Sequence, residues 1–409
     1  MPDLDQIHTV ALAGLVLFVG YGVRRAVPIL GRHNIPAPVV GGLLMAGFIG
    51  AARAGGWTPF VFTTTLQAPL MIAFFTTIGF GASLSLLRVG GPAVLLYFVL
   101  ATLVAIGQNA IGVAAAWALG EHPLMGVLAG SVTLTGGPAT GLAFAPAFEA
   151  AGVPAAATLA VAAAMAGIVA GGLIGGPVAT RLIARLGVRD GPVRPRGAHA
   201  LATAIVEEQL HERPPAAPEG EDVESYGLQK GLVLILTAIW AGSWLGEWFT
   251  SIGLTLPAYI GAMLVAAAIR NFDDATGWIG ISQRTVDDLG GAALSLFLVM
   301  ALMTLRLWDL VGVALPLAVM LLLQFVAIAV IAATIVYRAM GRDYEAAVMA
   351  GGFCGFMLGT TANAMANMEA LAERYGPAPK AFLVVPMVGA FFIDFTNALI
   401  ITFCLNLWS

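Results

Sequence analysis

Long apolar runs separated by short polar stretches dominate the pattern along this chain. Runs such as 7–23, 93–119, 232–248 and 315–337 are each long enough for a helix of about 20 residues, the length that crosses roughly 30 Å of hydrocarbon. Strands of a membrane β-barrel alternate apolar and polar positions over about ten residues, and these runs do not alternate. The pattern therefore predicts an all-α polytopic membrane protein.

Ten spanning helices are predicted, five on either side of a polar interval. Two further apolar stretches, 124–150 and 345–372, are interrupted by glycine, proline and polar residues, so each is predicted to be a re-entrant or broken helical segment. The predicted spans lie near residues 5–23, 38–56, 63–82, 93–118, 155–183, 229–249, 255–269, 288–305, 312–339 and 380–406.

Composition agrees with this class, because 59% of the 409 residues are apolar and only 10% are charged, against roughly 25% charged in soluble domains. The net charge of −4 gives no indication of nucleic-acid binding. The only two cysteines, Cys354 and Cys404, fall in membrane segments and support neither a disulfide framework nor a cysteine-rich metal site. No bound cofactor is predicted.

Basic residues predict the orientation, because lysine and arginine are enriched in cytoplasmic loops. With the N-terminus outside, all of the 19 basic residues except Arg53 and Arg306 fall on the cytoplasmic side. The first residues carry Asp3 and Asp5 but no basic residue, so no cleavable signal peptide is predicted. We therefore predict a multi-pass protein of the cytoplasmic (inner) membrane with both termini outside.

The two halves of the chain repeat each other at a spacing of about 220 residues. The corresponding pairs are Pro36 and Pro257, Gly41 and Gly261, Pro92 and Pro316, Gly120 and Gly341, and Gly130 and Gly351. Since each half has an odd number of spans, the second half must lie inverted. We predict a first inverted repeat at 1–183, a cytoplasmic linker at 184–228 and a second inverted repeat at 229–409. Inverted repeats are typical of transporters that bind substrate where broken helices meet near the midplane.

The first broken segment carries a stretch rich in glycine and hydroxyl groups at 131–141. Amides at the start of a half-helix present a partial positive charge that suits a carboxylate, while freed carbonyls and hydroxyls suit sodium. Close helix packing is the alternative, because small residues are common at membrane helix contacts. The candidate substrate-binding residues are Thr135, Gly136, Gly137 and Thr140, and Ser131 is a candidate sodium ligand.

The second broken segment contains two asparagines, Asn363 and Asn367, on one helical face. Amides without partners are costly in hydrocarbon, so the pattern favours a wet or ligand-lined pocket. Helix capping by Thr361 or Asn363 is the alternative. The candidate substrate-binding residues of this segment are Gly359, Thr360, Thr361, Asn363 and Asn367.

Asp394 is an ionisable residue within the last predicted span, which makes it a functional candidate by default. It shares a helical face with Asn397, and the span offers no basic partner, so a bound cation or proton is favoured over a salt bridge as its charge balance. Asn109 is a further candidate sodium ligand. Gln108 and Gln324 fit interhelical hydrogen bonds as well as they fit ligand contacts.

These features favour transport over catalysis. No Gly-Lys-Ser/Thr loop follows a glycine run, so transport must draw on an ion gradient rather than on ATP. No paired carboxylates, Ser/His/Asp set or metal-ligand cluster occurs at the membrane surface, so an enzyme is not predicted. Arg306 falls near the outer membrane surface, where snorkelling explains it. A channel or a non-transporting membrane receptor is the alternative from a different class.

The chain resembles the bacterial sodium/glutamate symporter family along nearly its whole length outside the linker. The matching stretches are IPAPVVGG at 35–42, PLMIAFF at 69–75, QNAIG at 108–112 and FLVVPMVGAFFID at 382–394. The resemblance implies symport of L-glutamate or a related acidic amino acid, with Na⁺ as coupling ion and re-entrant loops from both halves at the site. It also implies a homodimer in membrane lipid, in which a transport domain moves against a scaffold as in an elevator-type transporter.

Both loop tips differ from the pattern of that family. Its members show SGGHGTG where this chain has TGGPATG at 135–141, and a histidine where Phe353 stands. They show ATPT where this chain has TTAN at 360–363. A paralogous symporter for another small carboxylate or amino acid is therefore the alternative to a glutamate symporter.

Overall fold

The computed structural model describes residues 3–57, 60–85, 91–186, 222–251, 258–306 and 313–408. The helices of the first half are α1 Gln6–Ala26, α2 Pro28–Arg32, α3 Ala37–Ala54, α4 Gln67–Gly81, α5 Gly91–Leu119, α6 Pro123–Val132, α7 Gly137–Ala150 and α8 Ala156–Arg185. Those of the second half are α9 Val223–Ser251, α10 Ala258–Thr276, α11 Gln283–Met303, α12 Ala314–Ala339, α13 Tyr344–Leu358, α14 Thr361–Tyr375, α15 Pro379–Phe391 and α16 Ile393–Trp408. A short parallel pairing of β1 Asp3–Leu4 with β2 Val61–Phe62 was not predicted.

Seven of the described helices are long and apolar enough to cross a membrane, and the pair α15 and α16 makes an eighth if it is counted as one span. The prediction of a helical, multi-pass membrane protein is therefore confirmed. The last predicted span, 380–406, differs from one straight helix, because α15 and α16 are bent by 42° at their junction. Two other predicted spans are less typical: α4 has only 15 residues, and α10 ends in charged side chains.

The charged end of α10 is neutralised by contacts with its neighbours. Arg270 forms an ion pair of 2.9 Å with Asp274, one turn further along the helix. The Asp273 carboxylate accepts hydrogen bonds from three successive backbone amides, those of residues 279, 280 and 281, at 2.7–2.9 Å. The side chain of Asn271 bonds to the backbone at the end of α4. These contacts give partners to the charged side chains at this end of α10 and join α10 to α4 of the first half.

Most of the predicted linker at 184–228 lies outside the described residues. Helix α8 continues to Arg185, and α9 already begins at Val223, five residues before the predicted boundary at 228.

The helices pack as two groups, each with members from both halves of the chain. The frame group consists of α1, α3, α4, α9, α10 and α11, and the core group consists of α5 to α8 and α12 to α16. An aromatic cluster lies where the groups meet: the Tyr259 ring of α10 stacks on Phe75 of α4 at 4.5 Å and meets the edge of Phe144 of α7 at 5.2 Å. Contacts within each group are extensive, whereas few helix pairs connect the groups.

Gly112 allows α5 and α6 to approach closely. A methyl group built on Gly112 would overlap the carbonyl oxygen of Gly126, whereas one built on Gly107 of the same helix would meet open space. We therefore expect Gly112→Ala to force the helices apart, at a cost on the order of 1–3 kcal/mol. The midpoint of thermal unfolding of the detergent-purified protein should fall for Gly112→Ala, and should stay unchanged or rise for the matched control Gly107→Ala. Equal midpoints for the two variants would contradict the close approach.

Candidate functional site

The first helix break, residues 133–136, separates α6 from α7. It begins with a distortion inside α6, where the backbone of Gly130 leaves the helical region and the last turn is a π-turn. After the break, Gly137 has a φ of +68°, a conformation that favours glycine because it carries no Cβ. Pro138 then lies in the first turn of α7, where its missing amide costs no helical hydrogen bond. The local sequence therefore ends one helix and starts another.

The second helix break, at Gly359 and Thr360, separates α13 from α14. Thr360 is the N-cap of α14, and its side-chain oxygen accepts a hydrogen bond from the backbone amide of Asn363 at 3.3 Å. The sequence suggests Thr361 or Asn363 as the cap, whereas Thr360, which precedes both, provides it. Helix α14 therefore starts at this break with a capped N-terminus, as α7 starts at the first break.

The two helix breaks lie next to each other. A methyl group built on Gly137 would be 3.8 Å from the carbonyl oxygen of Gly359. Residues 137 and 359 lie in different halves of the chain, so the contact between them is tertiary. The structure thus brings together the predicted glycine-rich stretch of the first half and the predicted polar stretch of the second half.

Gln108 of α5 joins both breaks. Its side-chain nitrogen donates to the backbone oxygen of Met357 at 2.8 Å, and its side-chain oxygen accepts from the Thr135 hydroxyl at 2.6 Å. The Gln324 side chain of α12 donates to the backbone oxygen of Gln108 at 2.6 Å. Both glutamines therefore form the interhelical bonds that the sequence allowed for, and Gln108 holds one residue from each broken segment.

A second polar cluster surrounds the backbone of Ser131. The side-chain oxygen of Asn109 accepts from the Ser131 amide at 2.9 Å, and the side-chain nitrogen of Asn397 donates to the Ser131 carbonyl at 2.9 Å. All three side chains are at most 3% exposed. Within the described residues, the Ser131 hydroxyl and the Asn397 side-chain oxygen have no hydrogen-bond partner. Unpaired buried oxygens of this kind are costly, so a ligand or water that fills the cluster would be stabilised.

Asp394 lies one turn before Asn397, in the first turn of α16. It is partly exposed, and among the residues that the structure describes its carboxylate forms neither a hydrogen bond nor an ion pair. Asp394 and Asn397 thus belong to one helix end, beside the cluster around Ser131. The four candidate sodium ligands named from the sequence therefore lie on only three neighbouring elements, α5, α6 and α16.

Asn363 and Asn367 fasten α14 to α8. The side-chain nitrogen of Asn363 donates to the backbone oxygen of Ile168 at 2.7 Å, and that of Asn367 donates to Gly171 at 3.0 Å and Gly351 at 3.3 Å. These contacts satisfy the amide nitrogens inside the protein. The side-chain oxygen of Asn363 is fully buried and has no partner among the described residues, so it is available as an acceptor.

The other named candidates lie at the same two breaks. Thr140, in α7, packs its side chain against Gly136, so that a methyl group at position 136 would be 2.5 Å from the Thr140 Cβ. The Thr361 hydroxyl faces Gly389 of α15, where a methyl group would be 2.6 Å away. Both threonines therefore depend on a glycine opposite them for room.

The matching family model and the relatives that are similar in sequence indicate the same family. The family model described as Sodium/glutamate symporter matches residues 3–377. The chain is 39% identical to the sodium/glutamate symporter of Haemophilus influenzae over 405 residues, which covers 96% of this chain and 95% of that protein. It is 40% identical to the sodium/glutamate symporter of Escherichia coli over 415 aligned residues, which covers 100% of this chain and 99% of that protein.

Among solved structures, the sodium proton antiporter MjNhaP1 from Methanocaldococcus jannaschii aligns over 99% of this chain and 98% of its own, with a TM-score of 0.42 and 15% sequence identity.

Proposed function

The chain belongs to the sodium/glutamate symporter family, and on that premise we propose that it imports L-glutamate or a related acidic amino acid by sodium-coupled symport. The coupling ion of the family is Na⁺. The family is one of transporters, so the proposed activity is transport rather than catalysis. The cytoplasmic (inner) membrane of a bacterium is the proposed location.

The observation that carries this proposal is the meeting of two helix breaks beside buried oxygens without partners. At each break a half-helix starts, and its free amides present a partial positive charge that suits a carboxylate. The Ser131 hydroxyl and the Asn397 side-chain oxygen are acceptors, which suit a cation. One place therefore offers groups for an anion and for Na⁺, as symport of an acidic amino acid requires.

The proposed sodium ligands are Asp394, Asn397, Asn109 and Ser131. Asp394 supplies the negative charge, and Ser131 and Asn397 supply the neutral oxygens. The side-chain oxygen of Asn109 accepts from the Ser131 amide with one lone pair, which positions Ser131, and its second lone pair is the proposed ligand for the ion.

The proposed substrate site lies at the two breaks themselves. Helix-end effects give about 0.3 to 2 kcal/mol each, which is small beside the several kcal/mol that burial of an ion costs. Sodium bound nearby is therefore needed as a counter-charge for the anionic substrate. The proposed substrate-binding residues are Thr135, Gly136, Gly137 and Thr140 at the first break and Gly359, Thr360, Thr361, Asn363 and Asn367 at the second.

We also propose that the two halves are inverted repeats of five spans, with residues 184–228 as the linker. Two close helix crossings support this. A methyl group built on Gly41 of α3 would overlap the Val16 carbonyl of α1, and one built on Gly261 of α10 would overlap the Gly242 carbonyl of α9. The crossing of the first two spans thus recurs at corresponding glycines in the second half.

An elevator movement is the proposed transport mechanism, with the core group moving against the frame group. Both helix breaks belong to the core group, and few helix pairs connect the two groups. We further propose that the protein forms a homodimer in the lipid bilayer and that both of its termini lie outside.

A symporter for a different small carboxylate or amino acid is the second candidate. Where family members carry a histidine, the Phe353 ring is fully buried and meets the edge of Tyr97 at 5.5 Å. A polar group of the family pattern is thus replaced by aromatic packing within the second broken segment, which favours an altered substrate.

Uptake of radiolabelled L-glutamate into proteoliposomes tests the proposal. Sodium-dependent, saturable accumulation is expected with an inward Na⁺ gradient and not with K⁺ in its place. Competition by a panel of other carboxylates and amino acids then separates the two substrate candidates. Uptake that neither saturates nor concentrates the substrate would indicate a channel, and no uptake of any panel member would indicate a receptor.

A further inference from the structure

A cleft of about 540 Å³ lies between α7, the start of α8 and the end of α11. This volume falls within the range of roughly 300–1,000 Å³ that is usual for small-molecule sites. Glu149 of α7 and Arg306, which follows α11, both line the cleft and are both exposed. The cleft therefore joins the core group to the frame group and presents two opposite charges to solvent.

The two charges of the cleft are available to a ligand. Within the described residues, neither the Glu149 carboxylate nor the Arg306 guanidinium forms an ion pair or a side-chain hydrogen bond. The backbone of Arg306 is held against α8, because its carbonyl accepts from the Thr158 hydroxyl at 3.4 Å. Snorkelling accounts for an exposed arginine at a membrane surface, but it does not account for an acidic side chain from another helix that lines the same cleft.

The cleft leads towards the first helix break. Its buried wall includes Leu142 and Ala145 of α7. Leu142 is five residues beyond Gly137, a distance of about 7–8 Å along a helix. Glu149 is twelve residues beyond Gly137, so a ligand held at Glu149 and Arg306 would stand about three helical turns, or about 18 Å, from the first break.

We propose that this cleft is an outer binding site for a zwitterionic amino acid with an acidic side chain, where Arg306 binds a carboxylate and Glu149 binds the α-ammonium group. Arginine matches carboxylates through paired hydrogen bonds, and the opposite charges fix the direction of the ligand. The inference rests on the proposed function for the identity of the ligand. It assigns to Arg306 a role in substrate capture before the substrate reaches the helix breaks.

Binding without sodium tests the outer site, because the cleft contains neither helix break nor any of the proposed sodium ligands. We would titrate the detergent-purified full-length protein with L-glutamate in sodium-free buffer and measure binding by calorimetry. Wild type and Arg306→Lys should bind, whereas Arg306→Gln and Glu149→Gln should each bind at least about tenfold more weakly. Glu121→Gln is the matched control, because Glu121 lies in the loop before α6 and does not line the cleft. Size-exclusion profiles check that each variant folds.

The same variants are then compared in sodium-driven uptake. Arg306→Gln should raise the half-saturating L-glutamate concentration by about tenfold, and the half-saturating sodium concentration should not change. Equal sodium-free binding by Arg306→Gln and wild type, or no sodium-free binding by wild type, would overturn the outer site. Sodium-free binding that depends on Arg306, together with no sodium-driven uptake by wild type, would support the outer site and reject the proposed symport.

Discussion

Asp394→Asn is expected to abolish sodium-driven accumulation of substrate while leaving the protein folded. Asp394 lies in the first turn of α16, one turn before Asn397, and has no basic partner within the described residues. If its charge balances Na⁺, the neutral and nearly isosteric asparagine removes the ion and leaves the packing unchanged. We expect the initial rate of uptake in proteoliposomes to fall by at least about 100-fold, which corresponds to roughly 2.7 kcal/mol of lost ion binding.

A structural role predicts a different result for Asp394. A carboxylate in the first turn of a helix stabilises it by about 0.3–1 kcal/mol through the helix dipole, so loss of that charge would slightly lower thermal stability and leave transport intact. The control is Asp288→Asn, because Asp288 is an exposed acidic residue in α11. Full sodium-dependent uptake by Asp394→Asn, with wild-type half-saturation for Na⁺, would remove Asp394 from the mechanism.

The broken segments could be predicted from sequence because the interruption is local. Glycine, proline and hydroxyl residues crowd residues 131–141, and the structure ends α6 and begins α7 within that stretch. Likewise, glycine, threonine and asparagine crowd residues 351–367, and the structure ends α13 at Leu358 and begins α14 at Thr361. The predicted last span, 380–406, contains the pair α15 and α16, which are bent by 42°. Pro386 lies inside α15 and Gly389 lies just before the bend, so residues that favour an interruption are present, but the apolar run does not by itself predict where the bend falls.

The partners of the polar residues could not be predicted, because they lie far apart in the sequence. Gln108 and Met357 are 249 residues apart, yet a hydrogen bond of 2.8 Å joins them. Asn397 and Ser131 are 266 residues apart and are joined at 2.9 Å. Hydropathy placed these residues inside the membrane, but only the packing of helices from both halves decides which of them meet.

The surroundings of Arg306 likewise could not be predicted from the sequence. Its place at the end of a span made snorkelling a sufficient explanation from sequence. The cleft wall that carries Glu149 belongs to a broken segment of the other half of the chain, so no local pattern connects the two charges.

Gln108→Met is expected to abolish transport by separating the two helix breaks. The Gln108 side chain binds the Thr135 hydroxyl of the first break and the backbone oxygen of Met357 beside the second. Methionine has a similar volume but would leave both groups unpaired, at a cost of about 1–3 kcal/mol for each buried group. We expect uptake to fall by about 100-fold or more, together with a lower midpoint of thermal unfolding.

Gln324→Met separates the bridging role of Gln108 from a general need for polar groups in the core. Gln324 is fully buried and also bonds to Gln108, but only to its backbone oxygen. Its loss removes a second hydrogen bond from the Gln108 carbonyl, which lies inside α5, and keeps the link between Thr135 and Met357. The unfolding midpoint should therefore fall less for Gln324→Met than for Gln108→Met, and uptake should stay within about tenfold of wild type. If both variants lost uptake equally, the bridge between the breaks would not be the decisive contact. If Gln108→Met transported normally, the two breaks would keep their alignment without it.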